Sequence, residues 1–262
     1  MAQHLQGALA RARLAVLAIA ALSFGCTTPG PDRDLNYWLQ RHTDARSGRA
    51  AIEAIRAVEI ELQIEEPTFK VNGRYVGTRA GQMRIDVYAD GKRVFTEAFD
   101  GTRGWQWGEG ESAAMEASSR GTVALQHGIE FPFKVFGLHE AVARGHHLAL
   151  QEPETVGGID YLVVELTLKD GFQVRYYFDP TTALIALERQ KRAQHVDLDA
   201  TERWIETRYD DYRAVNGVRY PFLHTETEVG SGKFLSRGIV TAMRANAHMD
   251  PYFFEMRGIT AP

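Results

Sequence analysis

Val58-Glu59-Ile60-Glu61-Leu62-Gln63-Ile64-Glu65 is the stretch whose pattern sets the fold class. Apolar side chains take every second position and charged or polar ones the positions between. Successive side chains on a strand point to opposite faces, so this period describes an antiparallel strand buried on one face and wet on the other. Glu59, Glu61 and Glu65 then form a charged outer face. Working toward the C-terminus, strands are predicted over residues 69–79, 82–89, 92–100 and 104–107, punctuated by Asn72-Gly73, Ala80-Gly81, Asp90-Gly91 and Asp100-Gly101. Asp-Gly between two extended runs favours the turns that match strand twist, so Asp90-Gly91 marks a hairpin. Asn72-Gly73 leaves open whether the strand around it is one or two.

Alternation stops between Gly108 and Gly145. A helix is predicted over 131–143, with Pro132 near its start and Val135, Leu138 and Val142 at helical spacing, and a shorter one over 118–126. Strands resume at 146–152, 159–168, 172–179, 183–196, 201–214, 218–228 and 233–245. Upstream of the first strand, 35–45 and 48–55 read as short helices carrying Leu35, Trp38 and Leu39, then Ala51, Ile52 and Ile55. Their expected role is to cap an open end or edge of the sheet. The chain is 44% apolar, enough for a packed core, and one domain is expected. Strands, a helical interruption and more strands, joined as consecutive hairpins, predict a mainly β fold with few helices. The expected architecture is a single, strongly curved antiparallel sheet.

The first residues stand outside that fold. Arg11 and Arg13 precede the uncharged run Leu14 to Gly25, LAVLAIAALSFG, which suits a signal peptide and falls short of the ~20 residues that cross a bilayer. The chain's one cysteine, Cys26, follows directly. Leu22-Ser23-Phe24-Gly25-Cys26 resembles the lipobox of bacterial lipoproteins, although Ser23 stands where leucine is usual. That resemblance implies diacylglycerol on the Cys26 thiol and a further acyl chain on the amine freed by cleavage. The alternative is a free thiol after ordinary signal cleavage. Residues 27–34 are polar and rich in Pro and Gly, as a tether is. Because position 27 is threonine, not aspartate, the sorting rule for Gram-negative lipoproteins implies the outer membrane, facing the periplasm. The expected organisation is signal peptide 1–25, lipidated N-terminus and tether 26–34, and one domain over 35–262. The formal net charge of −4 becomes two units more negative once Arg11 and Arg13 leave. An acidic domain offers no footprint for nucleic acid and does not bind anionic headgroups by charge alone.

Catalytic constellations are not found. There is no G-x-S-x-G, P-loop, H-E-x-x-H, C-x-x-C or helix-opening G-x-G-x-x-G. His146 and His147 point to opposite faces of a strand, a poor arrangement for sharing a metal. His127 and His139 read as solvated, and Asp210 and Asp211 read as partners of arginines across strands. No catalytic residue, metal or cofactor is expected. The more informative residues are apolar: Trp105 and Trp107 on one strand, then Phe131, Phe133, Phe136 and Leu138 in the insert. One reading is ordinary core. The other is an apolar concavity, partly covered by the insert, that holds a hydrophobic ligand.

Three segments carry a family resemblance: Gly48-Arg49-Ala50-Ala51-Ile52 before the first strand, Phe99-Asp100-Gly101-Thr102-Arg103-Gly104-Trp105 ahead of the insert, and Tyr209 to Val218 with Tyr220-Pro221 late in the chain. With the element order of residues 35–250, these make the chain resemble the LolA/LolB-like superfamily of lipoprotein-binding proteins. The resemblance implies an incomplete antiparallel barrel with a helical lid. It also implies acyl-chain binding in the concave face, with no cofactor and no bond-breaking, in lipoprotein sorting or lipid transport. Trp105, Trp107, Phe131, Phe133, Phe136 and Leu138 are the expected ligand-binding residues. The expected partners are the membrane, through Cys26, and the acyl chains of a lipid or lipoprotein. A second expectation is an envelope interaction or stress-sensing protein that uses the same half-barrel to hold a protein partner.

Overall fold

The structure is a computed structural model and describes residues 34–131, 134–250 and 252–256. Two helices come first, α1 (Leu35–Ala45) and α2 (Arg49–Glu53). The Asp34 carboxylate accepts from the Asn36 N–H and so caps α1. Six strands follow: β1 (Ala57–Glu66), β2 (Phe69–Thr78), β3 (Met83–Ala89), β4 (Lys92–Phe99), β5 (Gly104–Gly108) and β6 (Met115–Glu116). After α3 (Ser119–Glu130) come β7 (His147–Leu150), β8 (Glu154–Val156), β9 (Ile159–Thr167), β10 (Gln173–Phe178) and β11 (Ile185–Arg192). The last three are β12 (Arg203–Val215), β13 (Val218–Glu228) and β14 (Phe234–Ala245).

These strands form one 14-stranded sheet in the order β6-β5-β4-β3-β2-β1-β14-β13-β12-β11-β10-β9-β7, with β8 added on β9. Two meanders are joined where β1 pairs with β14, antiparallel like its neighbours. Among the described residues β6 and β7 pair only inward, so the sheet does not close. The Asn72-Gly73 question resolves as one strand, because β2 runs through both residues opposite Gln63 and Leu62. Asp90 and Gly91 take φ of 50° and 76°, the left-handed pair that the β3–β4 hairpin demands.

The main core lies on one face, in two clusters, and two smaller ones, around Trp105 and Trp107 and around Tyr161, Val163, Tyr177 and Leu187, lie on the other. Trp38 of α1 packs with Leu148, Val164, Leu166, Val174, Tyr176 and Phe178 at the β7–β10 end. Ile52 and Ile55, together with Leu125 and Ile129 of α3, pack with Val58, Tyr75, Met83, Phe99 and Tyr220 at the other. Each such side chain contributes roughly 1.5–3 kcal/mol when fully buried. α3 sits close to the sheet because β2 and β5 offer glycine there. A Cβ on Gly77 would stand 2.9 Å from Ile129 Cδ1, and one on Gly104 would stand 3.0 Å from Thr122 Cα. α1 is tied to the β10–β11 turn by His42, whose Nδ1–H donates to the Ala183 carbonyl at 2.9 Å. Burial, and after it the charge of Arg46, lowers the His42 pKa to about 3, so this ring stays neutral.

The insert departs from expectation. The shorter helix expected over 118–126 is present and runs longer, over 119–130, whereas the one expected over 131–143 is not: within the described part of 131–146 only Leu138–Glu140 is helical, as a single 3-10 turn. The reason is Pro132: a residue before proline is disfavoured in the α region, and Phe131 ends α3 in an extended conformation with ψ of 141°. The outer face differs too. Glu59 is 6% exposed rather than wet, because Arg74 and Arg244 close over it at 2.7 and 3.2 Å. Asp211 pairs along its own strand with Arg213, at a left-handed φ of 54° that breaks the register and puts both side chains together.

Candidate functional site

Cross-strand partners share a face, so the register alone lays out the concave side. One row runs Val164, Tyr176, Glu188, Thr207, Glu226 and Ser236 across β9 to β14. It begins apolar under α1 and turns polar at β11. Glu226 is held by Arg192 at 2.6 Å and by the Ser236 hydroxyl at 3.1 Å. Glu188 Oε1 accepts from Gln190 Nε2 at 2.9 Å, and the Tyr209 hydroxyl hydrogen-bonds the same carboxylate. His224, next to Tyr209 on β13, lies flat over Gly238, where a Cβ would fall 2.0 Å from the ring. Burial lowers its pKa, so it faces the interior as a neutral imidazole.

The insert contributes a cation to this face. Lys134 Nζ donates to the Gly128 carbonyl at 2.5 Å and sits 4.4 Å from the centre of the Tyr75 ring. Its charge is felt by Glu188 on β11 and by Glu97 on β4, so it stands between the two walls of the half-barrel. Burial lowers Lys134 to about 8 against the pull of those carboxylates. Burial likewise raises Glu97, and it pushes Glu188 up to about 7 despite the Tyr209 hydrogen bond and the nearby Arg192. Residues 193–202 reach across the adjoining mouth. There the Ser118 hydroxyl, which caps α3, donates to Asp197, and His195 Nε2 lies 3.0 Å from Glu66.

The apolar part of the concave face is graded from closed to open. Val58 is 0% exposed beneath the helices, whereas Ile60, Leu62 and Ile64, further along β1 on the same face, are only half-buried. Gly73 opposite Leu62 adds no side chain, and Ile85, Val87 and Phe95 continue the half-buried surface onto β3 and β4.

The expected ligand residues divide between faces. Trp105 and Trp107 are 1% and 2% exposed on the convex side, where Ala98 and the C-terminal Met256 cover them and Trp105 Nε1 donates to the Phe254 carbonyl at 2.8 Å. Gly104 and Gln106, between and beside them, take the concave side. Phe136 and Leu138 are 3% and 1% exposed on the concave side, and each enters a different core cluster. Residues 134–146 thus pack against both halves. Phe131 is half-buried and stacks on Phe172 with centroids 6.3 Å apart. Phe133 and Cys26 lie outside the described residues. Arg79 secures the segment by donating to the carbonyls of Ile55, Ile52 and Val135 at 2.7, 2.9 and 2.6 Å and by pairing with Glu140. The histidines read as solvated are engaged: His127 contacts Asp170 at 2.6 Å, and the His139 side chain is 5% exposed beside Glu53. His146 meets Glu130 at 3.0 Å while His147 faces outward.

No family model and no curated protein sequence matches the chain. Solved structures do resemble it. A DUF1329 family protein from Desulfovibrio piger superposes with a TM-score of 0.56 at 11% identity, covering 85% of this chain and 98% of the other. A LolA superfamily protein from Nitrosomonas europaea gives 0.54 at 13% identity, with 83% and 96% covered. An outer membrane lipoprotein-sorting protein domain from Vibrio parahaemolyticus gives 0.53 at 10% identity, with 83% and 97% covered. The fold is LolA-like. At these identities the likeness is one of architecture, and the side chains that fill the LolA-like concavity are this chain's own.

Those side chains make stability depend on pH. The Glu188 pKa rises from 4.5 to about 7 on folding, so between those values the unfolded chain gives up a proton that the folded one keeps. The stability contributed by the protonated acid is complete below 4.5 and is lost as pH rises through 7. At about 1.36 kcal/mol per unit the loss is roughly 3 kcal/mol. Glu188→Gln is therefore expected to match the parent in urea unfolding at pH 4 and to exceed it by up to that amount at pH 8. Parallel curves at both pH values would remove the assignment.

Proposed function

We propose that this LolA-like protein is an envelope lipoprotein that binds the acyl chains of a lipid or of another lipoprotein in its concave face. Its role would lie in lipoprotein sorting or lipid transport. It is anchored through lipid on Cys26 to the outer membrane and faces the periplasm. The single observation that carries the binding role is the open end of the apolar concavity, where Ile60, Leu62, Ile64, Ile85, Val87 and Phe95 are only half-buried. An apolar surface that neither helix nor lid closes gains free energy from an acyl chain at about 25 cal/mol per Å² buried. Phe131, half-buried in the segment over the sheet, roofs the site, Phe136 and Leu138 fix that segment to the core, and the acyl chain enters along β1 beside it. Trp105 and Trp107, on the opposite face, do not contact it. Binding involves no cofactor and breaks no bond.

Organic extraction of the purified domain followed by mass spectrometry, with titration of an uncharged fluorescent acyl probe, tests this reading. Co-purifying lipid and saturable probe uptake are expected. A domain that carries no lipid and takes up no probe would overturn it, and a stoichiometric protein captured by crosslinking in intact cells would point to the protein-partner role instead.

A further inference from the structure

The concave face is not uniformly greasy, and its polar end has a chemical bias. Tyr176, Glu188, Gln190 and Thr207 are 0%, 3%, 2% and 3% exposed, yet the Tyr176 hydroxyl, Glu188 Oε2, Gln190 Oε1 and Thr207 Oγ1 have no hydrogen-bond partner. Register puts them side by side: Tyr176 faces Glu188 across β10–β11, Glu188 faces Thr207 across β11–β12, and Gln190 is two residues along from Glu188. Every one of these atoms can accept a hydrogen bond, and the amide oxygen and the ionised carboxylate can do nothing else. The Gln190 amide is oriented by its own donation to Glu188 Oε1, which leaves its oxygen turned to the interior. Buried acceptors without donors are costly, so a group that fits here brings donors.

Charge points the same way. Glu226 is taken by Arg192, and His224 is held neutral. That leaves Glu97 and Glu188 on opposite walls around Lys134, with His195 and Asp197 of the 193–202 segment, of opposite sign, near Glu97. Burial holds both carboxyl groups toward the neutral form, and a second cation placed between them would be stabilised by their ionisation. The half-buried apolar surface along β1 adjoins this end, so a molecule that spans both is an amphiphile.

We propose that the site selects an amphiphile with a primary ammonium head group, which donates its three N–H groups to Glu188, Gln190 and Thr207, beside the Tyr176 hydroxyl, while its hydrocarbon chain lies along β1. This rests on the reading of the concavity as an acyl-chain site and adds the chemistry of the head. The ammonium belongs either to a simple long-chain amine or to an aminophospholipid, whose phosphate would then meet Lys134.

The test is calorimetric titration of the natural domain with three probes of equal chain length: dodecylammonium, dodecyltrimethylammonium and dodecanoate. Dodecylammonium is expected to bind at least ten-fold more tightly than the other two, because the trimethyl head keeps the charge but has no N–H donor. Glu188→Gln and Thr207→Val, each checked for folding by circular dichroism, should reduce that preference several-fold without abolishing probe uptake. A further pair, dihexanoyl phosphatidylethanolamine against dihexanoyl phosphatidylcholine, separates the sources: preference for the first assigns an aminophospholipid, and binding of neither assigns a simple amine. Equal binding of the three dodecyl probes, or a preference for dodecanoate, overturns the head-group assignment and leaves acyl binding in place. Binding of none of them overturns both.

Discussion

The Cys26→Ser variant is expected to leave the membrane fraction. Membrane attachment in this reading comes from acyl chains on one residue, each buried methylene contributing about 0.8 kcal/mol, so that two or three chains anchor stably where one does not. The acidic net charge of the chain works against attachment to anionic lipid by charge in their absence. No helix of the described residues is long and apolar enough to cross a membrane. Serine at position 26 removes the lipidated thiol and leaves residues 35–262 unaltered. The variant should therefore appear as soluble protein or as unprocessed precursor, with the same unfolding curve for the domain. Fractionation of cells before and after a high-salt wash is the measurement. Protein that has lost its signal peptide yet stays with membranes would remove Cys26 as the anchor.

Phe136→Ala should be the most damaging substitution in the domain, whereas Leu62→Ala should spare stability and weaken ligand binding. Phe136 is 3% exposed, the void beside it holds only about 10 Å³, and the guanidiniums of Arg79 and Arg144 lie 5.1 and 3.3 Å from its ring centre. Truncating such a phenylalanine costs about 3–5 kcal/mol, a large share of the roughly 5–15 kcal/mol that holds a domain. It would also loosen residues 134–146 from the core, to which Arg79 ties them through Val135 and Glu140. Leu62 is half-buried at the open end of the concavity, so its loss should cost only about 1 kcal/mol of folding free energy. Urea unfolding beside titration of the uncharged acyl probe separates the two. A Phe136→Ala domain that unfolds at the parent's urea midpoint would make this residue a ligand contact and not core.

That contrast shows where legibility ended. Alternation over residues 58–65 was sufficient for strand type, for antiparallel pairing and for the inward direction of Leu62, because a period of two admits one assignment of faces. Hairpin turns such as Asp90-Gly91 were readable for the same local reason, and so were α1 and the strand order within each meander. The candidate site was less legible. On β11, Leu187-Glu188-Arg189-Gln190-Lys191-Arg192 is polar at nearly every position, so no period shows which residues turn inward. Register with Tyr176 and Thr207 decides that Glu188 and Gln190 do.

From the chain alone came the mainly β class, the curved antiparallel sheet, the short N-terminal helices and the expectation of an anchor at Cys26, all of which rest on local periodicity or on contiguous residues. Tertiary structure alone decided the rest. It joined β1 to β14 across the length of the chain and placed Trp105 and Trp107 on the convex side under the C-terminal segment. It also brought Lys134 between Glu97 and Glu188. The physical reason is that facing and burial depend on partners far away in sequence: a tryptophan is equally apolar on either face of a strand, and Glu188 acquires its raised pKa chiefly because the fold removes its water.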